Sequence, residues 1–129
     1  MPPSLQQLHE LRHALLDLHK ALIEAEREHY EKDTGPISSP NHFLHLLTSD
    51  AHFAWLLPLS QLIVAMDEAL DGKEPLNEEG AAALINEARP VLLASEDGEG
   101  SAKRYFELLQ HSPDVVLAHA KVTSVLRAA

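Results

Sequence analysis

Read for the spacing of its apolar and polar positions, the chain keeps a helical period through every long segment and shows no sustained strand alternation. The first helix is predicted over Leu5–Glu31. There Leu8, Leu11, Leu15, Leu18, Leu22 and Ala25 recur every three or four residues and form one stripe, which Leu16 and Ile23 widen into a core-facing surface. Ser4 stands at its N-cap position with Gln7 in capping-box register. A short helix is predicted from Pro40 to about Leu47, with Ser39 as N-cap and Pro40 at the first helical position. The segment SDAHFAWLLPLSQLIVAMDEAL (49–70) reads as one long helix, capped by Asp50, ended by Gly72 and interrupted in its middle by Pro58. Another helix starts at Asn77 and is kinked or ended by Pro90, and two more, SAKRYFELLQH and the Ser112-capped SPDVVLAHAKVTSVL, follow.

Turn-forming clusters DTGPISSP (33–40), DGKEPLN (71–77) and SEDGEGS (95–101) separate these segments. The pattern therefore predicts a single all-α domain over residues 1–129: an antiparallel bundle of about four main helices plus short ones.

Projecting the polar residues onto the same helical wheels singles out a few that share an apolar sector. His19, Glu26 and His29 fall inside or at the margin of the leucine sector of the first helix, whereas Glu10 and His13 point away. His52 shares its face with Trp55, Leu59, Leu62, Met66 and Leu70, and His119 lies with Val115, Val122 and Leu126. His42 and His45 project away from Phe43 and Leu47.

Two candidate sites follow. Pro58 has no amide to donate, so the Ala54 carbonyl loses its helical partner and the turn opens. Beside it, His52, Trp55, Leu59, Leu62 and Met66 make an apolar, one-handled wall of the kind that lines small-molecule sites. Glu26 and His29 form an E-x-x-H pair, a spacing that puts a carboxylate and an imidazole on one helical face as di-metal bundles require. With His52 they make a candidate site for a divalent transition metal. Against that, the second inward E-x-x-H pair of a ferritin-like centre is missing: Glu10 and His13 face outward, and the acidic residues of the later helices, Asp67, Glu68, Glu78, Glu79 and Glu87, are not in E-x-x-H spacing.

Composition adjusts this picture in three places. Nine histidines are about three times ordinary usage. The absence of cysteine removes disulfides, thiolate metal sites and thiol nucleophiles and fits a cytoplasmic protein. A net charge of −10 argues against nucleic acid and anionic membranes, which need lysine and arginine to displace counterions. No apolar run is long enough to cross a bilayer. The imbalance is uneven: residues 1–100 carry 6 basic and 18 acidic groups, residues 101–129 carry 4 and 2, so the C-terminal segment can dock on the acidic remainder.

Two further patterns carry little. Ser49, Asp50 and His52 are the residue types of a hydrolase triad, but their adjacency is that of N-cap chemistry. GEGSAK (98–103) follows no strand and lacks the glycine spacing of a phosphate loop.

The segments FAWLLPLSQLIVAMDEAL (53–70) and SPDVVLAHA (112–120) resemble small bacterial helical-bundle proteins of unassigned function. The resemblance implies a helical fold and carries over no catalytic residue. The expectation from the sequence is a soluble bundle that works by binding a small molecule or a partner rather than by catalysis. A homo-oligomer, in the simplest case a dimer, would cover apolar surface that the short late helices leave open. The alternatives are a metal-binding protein using Glu26, His29 and His52, and a purely structural or adaptor protein.

Overall fold

The structure, a computed structural model, describes residues 3–92 and 100–127, apart from the side chains of residues 51, 52 and 101. Among the described residues all regular structure is helical: α1 (Pro3–Thr34), α2 (Pro40–Ser49), α3 (Ala51–Ala54), α4 (Leu57–Asp71), α5 (Glu78–Val91), α6 (Ser101–His111) and α7 (Pro113–Arg127).

The leucine stripe of α1 is the axis of the molecule. Leu8, Leu11, Leu15, Leu18 and Leu22 are all at most 1% exposed, because α1 is surrounded by α4, α5 and α7 on the face that carries them. Side-chain pairs fix the directions. Along α1 and α4, Arg12 meets Asp67, His19 meets Ser60, and Glu26 meets Trp55 just ahead of α4. Rising numbers on α1 thus pair with falling numbers on its neighbour, and the two helices are antiparallel. Gln7 of α1 reaches the Val125 carbonyl near the end of α7, while Ala21 and Glu24 lie by Pro113 and Asp114 at its start, so α7 is antiparallel to α1 as well.

The helix ends follow local chemistry. The Ser39 hydroxyl accepts from the His42 amide at 3.1 Å, the Asn77 side chain from the Gly80 amide at 2.7 Å, and the Ser112 hydroxyl from the Val115 amide at 3.3 Å, each satisfying an otherwise unpartnered first-turn donor. Gly35, at φ +115°, accepts the backbone turn that stops α1. Helix α1 begins before Ser4, so Ser4 is not its cap, and Gln7 turns outward to α7 instead of closing a capping box.

The main departure from the pattern lies at Pro58. The expected single helix over 49–70 is two helices, α3 and α4, separated by a turn at Trp55 and Leu56. The Leu56 amide closes that turn on the Phe53 carbonyl at 3.0 Å, and Pro58 falls in the first turn of α4, where a missing amide has no helical partner to lose. The chain breaks ahead of the proline rather than kinking around it.

Candidate functional site

The break has two sides, one turned into the protein and one toward the surface. On the inner side, Trp55 donates its indole N–H to Glu26 Oε2 at 2.7 Å. Glu26, on α1, is 1% exposed and is the buried charged residue of the core. A buried carboxylate needs a cation and hydrogen bonds to replace water. Arg104 of α6 supplies both: its Nε donates to the two carboxylate oxygens at 3.0 and 3.1 Å, and its Nη2 makes a further, closer contact with Oε1. Nη1 turns outward to Glu107 at 2.8 Å. The hydrogen bond to Glu26 raises the Arg104 pKa further, against the opposing effect of burial.

Next to this pair the Trp55 and Tyr105 rings lie 6.5 Å apart, and the Tyr105 hydroxyl stands 2.7 Å from His119 Nδ1 on α7. Burial pushes the phenol pKa up and that of His119 down. Burial thus favours the neutral form of both groups, and which of them donates depends on the His119 tautomer. The whole inner side is a packed, satisfied polar chain across α1, the break, α6 and α7, and its role is to hold those elements in register.

The outer side is open. A pocket of about 350 Å³ lies between α1, the end of α2 and the break, walled by Ile23, Leu47, Phe53, Ala54, Leu56 and Leu57. Its polar groups are His19, Ser60 and Thr48. His19 Nε2 and Ser60 Oγ are 2.7 Å apart, and Ser60 Oγ also donates to the Leu56 carbonyl at 3.2 Å. Burial lowers the His19 pKa, so the ring is neutral at pH 7. Among the described residues no carboxylate hydrogen-bonds the His19 ring, so the group that would orient a general base beside a serine nucleophile is not part of this arrangement.

The residues singled out by the sequence are distributed as follows. Trp55 and Leu59 meet at a second, much smaller cavity of about 30 Å³ beside Pro58, Leu22 and Tyr105, room for a water rather than an organic ligand. Leu62 and Met66 are buried core residues of α4 and line neither space. Of the proposed metal ligands, Glu26 is engaged by Arg104 and Trp55, and His29 lies on the exposed end of α1, pairing with Asp33 at 3.1 Å. The side chain of His52, which belonged to both candidate sites, lies outside the described residues. Among the described residues, no group of three or more His, Asp or Glu side chains converges in the manner of metal ligands.

Two participants, Arg104 and Ser60, went unmarked in the sequence, as did the partner of a third, His19. Arg104 was signalled only indirectly, by an inward Glu26 that demands a cation and by the positive balance of the C-terminal segment. Ser60 lies two residues after Pro58, in the first turns of α4. His19 was recognised as inward-leaning, but its partner is 41 positions away.

Fold and site together define a small all-α protein with an apolar pocket at a helix break, and no helix among the described residues is long and apolar enough to cross a membrane. Comparison with protein-family models, with curated proteins and with solved structures found no match.

Proposed function

We propose that the protein is a small-molecule-binding module and that its site is the pocket between α1 and the α3–α4 break. The observation that carries this reading is the His19–Ser60 pair, 2.7 Å apart and set into walls that, Thr48 aside, are apolar among the described residues. A few polar groups in an apolar concavity fix a ligand's orientation while the walls supply affinity, and about 350 Å³ falls at the low end of the roughly 300–1,000 Å³ usual for such sites. The ligand is accordingly small and mainly hydrocarbon. The pair acts by holding it, since the Ser60 proton is engaged and no acidic group among the described residues completes a catalytic relay.

The experiment is calorimetric titration with 4-propylphenol, a probe of about ten non-hydrogen atoms. At roughly 0.4 kcal/mol per atom the expected Kd is about 1 mM or tighter. Thr48 is exposed and lines the pocket, so Thr48→Trp fills the space without touching the core. Binding to the parent protein and its loss in T48W support the reading. Absence of binding, or binding untouched by T48W, removes it.

A further inference from the structure

Hydroxyl groups in a binding site recognise a ligand by donating or by accepting, and which of the two is available depends on where their single proton already goes. In this pocket both hydroxyls have spent it. Thr48 Oγ1 donates back into its own helix, to the Leu44 and His45 carbonyls at 3.2 and 3.0 Å. Ser60 Oγ has two contacts, the Leu56 carbonyl at 3.2 Å and His19 Nε2 at 2.7 Å. If His19 carries its proton on Nε2, the ring donates to Ser60 and Ser60 donates to Leu56. If it carries the proton on Nδ1, Ser60 donates to Nε2. In either tautomer the Ser60 proton is engaged, and Oγ turns only lone pairs toward the open space.

We infer that the pocket selects a neutral hydrogen-bond donor on an apolar body, a phenol, an alcohol or a similar O–H or N–H compound, with Ser60 Oγ as the accepting atom. This rests on the pocket reading above and adds the ligand's polarity to it. An ether of the same shape brings a second acceptor against lone pairs and leaves Ser60 unsatisfied. A carboxylate brings a charge as well, into walls that offer neither Lys nor Arg among the described residues. A protonated amine can donate, but the described lining has no carboxylate to replace its hydration.

The test compares three probes of matched body, 4-propylphenol, 4-propylanisole and 4-propylbenzoate, by calorimetry at pH 7.5, with resonance perturbations mapped on the isotopically labelled protein. The phenol is expected to bind about fivefold or more tighter than its methyl ether, the difference one net hydrogen bond makes, and the benzoate more weakly than either. Ser60→Ala is expected to bring the phenol down to the ether's affinity and to leave the ether unchanged. Equal affinity for phenol and ether, both perturbing pocket residues, overturns the inference while leaving the pocket standing. A benzoate that binds as well as the phenol overturns it too, by placing the recognition on backbone amides of the break. If none of the three binds, the pocket reading falls and the inference with it. Should Ser60→Ala fold poorly, the phenol-to-ether ratio in the parent protein decides alone.

Discussion

Replacing Arg104 by methionine tests how the two sides of the helix break are held. The substitution keeps most of the aliphatic stem of Arg104 and removes the guanidinium, leaving the Glu26 carboxylate, 1% exposed, with the Trp55 indole N–H as its remaining donor among the described residues. Removing one partner of a buried ion pair costs about 3–5 kcal/mol, because the charge left behind is neither hydrated nor paired. Against a total stability of roughly 5–15 kcal/mol that is a large share. At about 3 °C per kcal/mol for a chain of this size, the melting temperature should fall by roughly 9–15 °C. The partner variant decides the cause. Glu26→Gln can still accept from Trp55 and carries no charge, so E26Q/R104M should regain more than half of what R104M loses. The assay is denaturant unfolding followed by Trp55 fluorescence and by circular dichroism. A loss below about 1 kcal/mol in R104M, or a double variant as unstable as the single one, would refute a buried and mutually dependent pair.

Two further outcomes follow from the same geometry. Burial lowers the pKa of both His19 and His119 from the ordinary value of 6.5, so as pH falls through 6.5 the unfolded chain takes up protons before the folded one does. Stability is therefore full above pH 6.5, declines below it toward the folded-state values and then levels. His19→Gln should flatten part of that slope in unfolding curves collected between pH 5 and 8, and an unchanged slope would show that the ring is not protected from protonation. Pro58 sits in the first turn of α4, where its amide is not needed, so Pro58→Ala should change stability by about 1 kcal/mol or less and leave the break in place. A gain in helicity with loss of the turn at Trp55 and Leu56 would mean that the proline itself makes the break.

What the sequence made legible was the chemistry that is local or periodic. The α1 leucines recur at helical spacing because one face is buried, and Ser39, Asn77 and Ser112 each cap a helix by accepting from the amide three residues on. The inward position of Glu26 could be read from the wheel. Its counter-ion could not, since Arg104 is 78 positions away and periodicity within one helix says nothing about which distant cation arrives. The break ahead of Pro58 was read as a kink because the proline is visible locally, whereas the Trp55–Glu26 hydrogen bond that anchors the turn is not. The wheel drew attention to one flank of α4. Leu59, Leu62 and Met66 mark the face with the strongest period, and that face is strong because it is filled. The pocket of about 350 Å³ lies at the margin between α1 and the break, where His19 comes from one helix and Ala54, Leu57 and Ser60 from the two sides of the break, so no single helical wheel brings them together.

The proposed function places a ligand in the space beside His19 and Ser60. Intermolecular nuclear Overhauser contacts to bound 4-propylphenol test it most directly. The predicted result is contacts from the propyl chain and ring to the methyl groups of Ile23, Leu47 and Leu57 and to the His19 ring, all absent in T48W. Contacts confined to another surface, or none at millimolar ligand, would contradict it.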